Sequence, residues 1–130
     1  MGSQQLLLIV LVTFVVGLSI VTGIRLISSF SQSNDRDMIL HQMNVVIGEA
    51  KAFAKRPNTI GGGDGEFLGF EPSARLTDTD EIRLYLTIGA DYILIQGFGT
   101  VLGWDGANPV QVVAQYELNP AEWTSVTMVN

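Results

Sequence analysis

The chain has 130 residues and a formal net charge of −6, and it contains no cysteine. The lack of cysteine excludes disulfides and thiolate metal sites, and a chain of this length holds one small domain besides its apolar N-terminus. The charge is uneven, because residues 25–56 hold five basic and three acidic side chains, whereas residues 58–130 hold two basic and ten acidic ones. A distal part this acidic argues against nucleic acid as a partner.

An uncharged apolar stretch extends from Leu6 to Ile24, near the N-terminus. As a helix, these residues would span about 28 Å, which is close to the thickness of a bilayer core. An ordinary secretory signal has a basic segment followed by a shorter apolar core. Neither feature is present, so the pattern favours a retained membrane-type helix over a cleaved signal.

The helical pattern continues beyond Ile24 as an amphipathic segment over residues 34–56. Its apolar positions recur at spacings of four, three, four and three residues: Ile39, Met43, Val46, Ala50 and Phe53. Such a stripe predicts a helix that packs one side on a core, and Pro57 is expected to end it. Residues 28–35 are rich in serine and have weaker helix propensity, so they could bend or break the helix.

The remaining sequence predicts a loop followed by a sheet. Five glycines in residues 58–72 predict the loop. Alternation of apolar and polar residues predicts four strands within residues 81–130, at 82–88, 92–96, 110–118 and 123–129. Gly97 and Gly99 are assigned, with residues 103–106, to an irregular connection. Short connections favour antiparallel pairing, so the predicted fold is α+β, with a long N-terminal helix packed on a four-stranded antiparallel sheet.

This fold divides the chain into two parts. Residues 1–27 form an apolar helical stem, and residues 28–130 form a globular head with the amphipathic half-helix, the glycine-rich loop and the sheet.

The side chains that usually carry catalysis are sparse. The single histidine, His41, falls on the polar side of the predicted helix, and no serine lies in a Gly-x-Ser-x-Gly motif. The glycine run at 61–65 lacks the Lys-Ser/Thr of a phosphate-binding loop. We therefore expect no catalytic residue, no cofactor and no metal site, and we expect no enzyme. Three clusters of oxygen side chains suit calcium chemically but lack EF-hand spacing, and solvated loop charge is the default: Asp64 with Glu66; Asp78 with Asp80 and Glu81; Asp105 with Asn108.

The apolar helix has three interpretations. It could be a plain membrane anchor, a transmembrane segment in a complex, or the packing stem of a helical polymer. Gly17, Ser19 and Gly23 are small enough to let helices approach closely. A plain anchor rarely continues without a linker into a second, amphipathic helix, so the continuity favours the polymer.

A family resemblance supports the same interpretation. The sequence GSQQLLLIVLVTFVVGL, followed by a long helix that leads into an antiparallel sheet, resembles the type IV pilins and pseudopilins. The resemblance covers Gly2 to about Arg56 in sequence and is architectural for the sheet. It implies cleavage by a prepilin peptidase between Gly2 and Ser3, methylation of the new N-terminus, and an inner-membrane precursor. It also implies that pilus assembly machinery builds the chain into an extracellular homopolymer.

The chain departs from the family pattern in four ways, of which the first is that the family's basic leader is missing before Gly2. The glutamate usual at the fifth mature position is Leu7 here, and the neighbouring Gln4 and Gln5 can donate hydrogen bonds but cannot form an ion pair. The family's helix-breaking proline is absent, so Gly17 and Gly23 would have to loosen the helix. Without cysteine, the C-terminal disulfide loop of many pilins cannot form. The departures leave open whether the chain is a major or a minor subunit.

The leading hypothesis is a structural subunit of a type IV pilus-like filament. Two alternatives remain: a single-pass, membrane-anchored periplasmic or surface binding domain, and a minor pseudopilin of a secretion system. In the leading hypothesis, eight apolar side chains pack in the filament core: Leu6, Leu7, Leu8, Leu11, Phe14, Val15, Leu18 and Val21.

Overall fold

The computed structural model describes residues 2–130 and has the predicted α+β architecture, a long N-terminal helix packed on a four-stranded antiparallel sheet. Two short helical segments lie between the long helix and the sheet. The elements, in chain order, are α1 (Gly2–Lys55), a 3-10 turn (Asn58–Ile60), α2 (Ala74–Thr77), β1 (Arg83–Ile88), β2 (Tyr92–Leu102), β3 (Pro109–Glu117) and β4 (Glu122–Met128).

Helix α1 is continuous over 54 residues, a length of about 81 Å. It does not break at residues 28–35, where the sequence allowed a bend. Polar side chains in this region instead bind the head, which compensates for their weak helix propensity: the Gln32 amide donates to the carbonyl of Leu102 at 3.0 Å. Gly17 and Gly23, the predicted loosening positions, also lie in regular helix in the single chain. The helix ends at Lys55, two residues before Pro57, as Pro57 predicts.

The sheet is a simple meander in the order β1-β2-β3-β4, with every neighbouring pair antiparallel. The strand ends lie within one residue of the predicted ones, except in β2. That strand extends to Leu102, so the assignment of Gly97 and Gly99 to an irregular connection was wrong. An irregularity in the β2–β3 register between Phe98 and Leu102 lets the longer strand stay paired.

Two glycines lie in β2 because α1 crosses the strand closely there. A Cβ on Gly97 would collide with the side chain of Ile39, and a Cβ on Gly99 would lie 2.5 Å from Oδ2 of Asp35. A glycine inside a strand often marks such a close approach. Alternation of apolar and polar residues alone does not distinguish a glycine of this kind from a glycine in a turn.

The core lies between the second half of α1 and one face of the sheet. Four residues of the predicted stripe, Ile39, Met43, Val46 and Ala50, are fully buried. Phe53 is only half-buried and packs against Phe70 with 5.7 Å between ring centroids. The sheet contributes alternate residues of its first three strands: Leu84, Ile93, Ile95, Val110, Val112, Ala114 and Tyr116.

The glycine-rich loop is held to this core by two phenylalanines. Phe67 is completely buried, Phe70 is nearly so, and the Phe67 amide donates to the carbonyl of Ala90 at 2.9 Å. Aromatic burial of this size lets a loop without long regular structure hold one position against the sheet.

The β2–β3 loop is organised by the carboxylate of Asp105. Its Oδ1 accepts the backbone N–H groups of Ala107 and Asn108 at 2.9 and 3.0 Å, and its Oδ2 accepts the Asn108 amide at 2.7 Å. The buried Asn130 side chain also donates to Oδ1. The pKa of Asp105 lies well below its usual range, because four hydrogen bonds stabilise the ionised carboxylate. The backbone N–H of Asn108 has the largest effect, followed by the backbone N–H of Ala107 and the side-chain amides of Asn108 and Asn130.

This lowered pKa predicts how the loop responds to acid. The folded state favours the ionised form of Asp105, so the ionised carboxylate stabilises the fold. This contribution is complete above the ordinary aspartate pKa and is lost as the pH falls through the lowered pKa. We expect the Asp105 carboxyl carbon, followed by NMR, to titrate at a lower pH than an aspartate in an unstructured peptide. In Asn108→Ala the midpoint should move towards the peptide value. A wild-type midpoint equal to that of the peptide would contradict the assignment.

Candidate functional site

The stem, residues 2–27 of α1, is exposed on all sides. All eight predicted filament-core side chains lie on it with between 50% and 68% of their surface exposed, Val21 being the least and Leu7 the most exposed. The apolar surface continues past Arg25 to Phe30, whose side chain is 76% exposed. Monomeric soluble proteins rarely expose a continuous apolar surface of this extent, so the stem requires a non-aqueous or protein environment.

The polar side chains in the middle of the stem are satisfied within the helix. The hydroxyls of Thr13, Ser19 and Thr22 each donate to the backbone carbonyl four residues earlier at 2.8 Å. This hydrogen bond to the helix backbone replaces the one that the hydroxyl would otherwise donate to water. The middle of the stem can therefore enter a lipid or protein interior without leaving a hydrogen-bonding group unpaired.

By length and composition, α1 contains a segment able to cross a membrane, and no part of that segment is buried against the head. This distinguishes it from the buried core helix of a soluble protein. A signal sequence near an N-terminus meets the same criteria of length and composition. The ability to enter a membrane therefore does not by itself identify the role of the stem. The helix continues without a break into the head, as described next.

The stem joins the head without a linker, and α1 is hydrogen-bonded to the sheet where the two meet. Asp35 is 8% exposed, and its Oδ2 accepts the backbone N–H groups of Thr100 and Val101 at 3.1 and 2.9 Å. One helical residue later, the Arg36 guanidinium lies over the Trp104 ring, 5.7 Å from its centroid. These contacts fix the direction of the stem relative to the sheet.

We expect Asp35→Ala to destabilise the head by about 1–3 kcal/mol, since two backbone donors of β2 lose their acceptor. Asp37→Ala is the matched control, because Asp37 is two residues away on the exposed side of the same helix. The measurement is urea unfolding of the full chain in detergent, followed by the circular dichroism of the sheet. Equal midpoints for the two variants would show that the Asp35 contacts contribute nothing.

Sequence reasoning did not identify Asp35 or Gln32 as junction residues. A signal was present for Asp35, since it precedes Ile39 by four residues and so continues the buried stripe of Ile39, Met43 and Val46. A carboxylate on an apolar stripe indicates a buried hydrogen-bond partner. That partner is the backbone of β2, which only the fold brings near.

Gly2 and Ser3, the predicted processing junction, lie in the first turn of α1. Gln4, Gln5 and Leu7 follow in the same exposed helix. At Gly17, the helix surface has a notch lined by Val10, Phe14 and Val21, among others. No atom lies within 4 Å of where a Gly17 side chain would begin, so this position faces open space.

The other candidate sites of the sequence do not come together. Over residues 2–130, no group of three or more His, Cys, Asp or Glu side chains is arranged to hold a metal ion. His41 is exposed on α1, and the carboxylate of Asp105 is occupied by hydrogen bonds within its own loop. A cavity of about 350 Å³ beside β1 is lined by Asp80, Glu81 and Tyr85, among others, and is open to solvent.

Comparisons of the chain with family models, with curated proteins and with solved structures found no match.

Proposed function

We propose that the protein is the structural subunit of a helical filament similar to a type IV pilus, built by packing of its apolar stem. The observation that carries this proposal is the single continuous helix of Gly2–Lys55, apolar and uncovered in its first half and buried against the sheet in its second. The pilin-like sequence of residues 2–18 supports it. In this proposal, prepilin peptidase and pilus assembly machinery are the processing partners.

The energetics leave the stem two stable environments. Burial of each large apolar side chain is worth about 1.5–3 kcal/mol relative to water, so a stem with more than a dozen of them would not persist in solution. Before assembly, the stem would lie in the inner membrane with the acidic head outside. In the filament, the stems would pack together and exchange lipid contacts for protein contacts.

The rigid junction favours a polymer over a simple anchor. An anchor needs no fixed orientation between its membrane helix and its domain. Here Asp35, Gln32 and the core stripe hold the stem at one angle to the head. A fixed angle lets each copy present the same surfaces to the next one, which is what a non-closing, head-to-tail contact requires.

The length of the stem equally supports the second candidate, a single-pass anchored domain. The two candidates differ in what the full chain does when assembly machinery is supplied. A filament subunit leaves the membrane and forms thin fibres, whereas an anchored domain stays in the membrane fraction.

The deciding experiment is electron microscopy of the material shed from cells that express the full chain together with pilus assembly machinery. We expect thin helical fibres in which mass spectrometry finds a subunit that begins at Ser3. A chain that remains a detergent-soluble monomer under these conditions would refute the proposal. Fibres with an uncut N-terminus would support assembly but contradict the predicted processing.

A further inference from the structure

A group of exposed apolar and cationic side chains lies where the stem meets the head. It is called the junction patch below and consists of Phe30, Arg36, Leu102 and Trp104. The side chain of Phe30 is 76% exposed, that of Leu102 50% and that of Trp104 69%. The hydrogen bond from Gln32 to the carbonyl of Leu102 holds the end of β2 against α1, and the Arg36 guanidinium lies over the Trp104 ring. The head therefore presents this patch directly beside the exposed apolar surface of the stem.

The β2–β3 loop holds Trp104 in a fixed position. The backbone N–H of Gly103, the residue before it, donates to the carbonyl of Asn108 at 2.8 Å. Asp105, the residue after it, accepts hydrogen bonds from its own loop and from the buried Asn130 side chain. The exposure of the Trp104 ring is therefore not the result of a loosely held loop. Tryptophan has a large apolar ring with one polar N–H group, and it is enriched where an apolar phase meets water.

Arg36 gives the patch a positive charge. The side chain is half-buried and forms no salt bridge within residues 2–130. Side chains on a helix lean towards its N-terminus, so the Arg36 side chain leans back along α1 towards the stem. A guanidinium group binds phosphate oxygens through paired hydrogen bonds. An arginine beside a tryptophan therefore suits a surface that offers apolar and phosphate groups together.

The length of the stem places the junction patch at the level of a bilayer surface. The exposed apolar surface of α1 extends from Leu6 to Phe30, a length of about 37 Å. This is longer than the hydrocarbon core of about 30 Å, and a helix with such an excess tilts to cover its apolar length. The long side chain of Arg25 reaches the headgroups from within this stretch. Gln32, the partner of Leu102, lies about 3 Å beyond Phe30 along the axis, within a headgroup layer about 5–7 Å thick.

From these observations we propose that the junction patch is a contact with the membrane surface. While the stem is inserted, Leu102 and Trp104 lie in the headgroup layer and Arg36 binds lipid phosphate. A phospholipid bilayer is the occupant, because the inserted stem itself brings this surface to the patch. The proposal rests on the membrane-inserted precursor of the proposed function, and it does not depend on polymerisation. The contact gives the head one orientation above the bilayer before assembly.

The test uses the full chain in phosphatidylcholine vesicles, with the fluorescence of Trp104 as the readout. Trp123→Phe removes the second of the two tryptophans. Because Trp104 lies beside the lipids in this proposal, we expect its emission to fall by about half when the acyl chains carry bromine near the headgroups. Flotation of the vesicles shows in the same sample that the chain is inserted.

The matched control is Trp104→Phe, which leaves Trp123 as the reporter. The Trp123 ring N–H donates to the side chain of Asn44 at 3.0 Å. Asn44 is 12 residues beyond Gln32, about 18 Å further along α1 and outside the headgroup layer. We therefore expect the emission of Trp123 to be the same in brominated and in ordinary vesicles.

A second pair of variants tests the cation. In the chain that keeps Trp104 alone, Arg36→Gln should weaken the quenching by brominated lipid. The same change at Arg56, 20 residues later and just beyond the end of α1, should leave the quenching unchanged.

Three outcomes would overturn the proposal. The first is Trp104 emission that does not respond to brominated lipid in vesicles that carry the chain, or that responds no more than Trp123 emission. The second is Trp104 emission that depends on the protein-to-lipid ratio instead, which would place a second copy of the chain on the patch. The third is a chain that does not float with the vesicles, which would refute the membrane-inserted precursor and this contact together. Failure of the chain to form filaments, in contrast, would refute the proposed function and leave the expected quenching as it is.

Discussion

Replacement of Val15 by aspartate is expected to abolish filament formation while the head stays folded. Val15 lies in the middle of the stem and is 52% exposed, and its neighbours along the stem are exposed as well. An aspartate at the centre of a membrane helix costs about 2.5–3.5 kcal/mol on insertion scales. The remaining apolar residues can still hold a single stem in a bilayer. In a filament, the same buried charge recurs at every subunit without a partner.

The controls for this prediction are Val15→Leu, which keeps the stem apolar, and Asn58→Asp, which adds a charge to the head. Both should give wild-type numbers of filaments by electron microscopy. Circular dichroism in detergent should show the same sheet signal in all variants. Filaments of Val15→Asp with normal abundance would show that the stem does not form the packed core.

Replacement of Phe67 by alanine is expected to destabilise the head by about 3–5 kcal/mol, the range for a fully buried phenylalanine. Phe67 is completely buried and packs edge-on against Tyr116 at 6.3 Å between ring centroids. Its loss leaves a cavity between the glycine-rich loop and the sheet. Because whole domains have about 5–15 kcal/mol of stability, the variant should lie near the threshold of folding.

Leu68→Ala is the control for Phe67→Ala, since Leu68 is the next residue and is 54% exposed. Its effect should stay within about 0.5 kcal/mol, as for other surface substitutions. Urea unfolding of the full chain in detergent measures both variants. Similar midpoints for Phe67→Ala and Leu68→Ala would show that the glycine-rich loop is not anchored by its aromatic side chain.

The sequence by itself determined the elements and their order. Hydrophobic periodicity in α1 and alternation in the strands depend on which residues meet water, and both patterns are local. They predicted the stripe from Ile39 to Ala50 and the antiparallel sheet, and the uncharged apolar run predicted a membrane-type stem. Propensity was a poorer guide at residues 28–35, because tertiary hydrogen bonds outweighed it.

Only the tertiary structure decided the features that depend on contacts between distant residues. Gly97 and Gly99 belong to β2 because α1 lies directly above them. Asp35 is buried because the fold brings it next to the backbone of Thr100 and Val101, which are 65 and 66 residues away in sequence. Local patterns cannot encode such positions, since each depends on where the partner element packs.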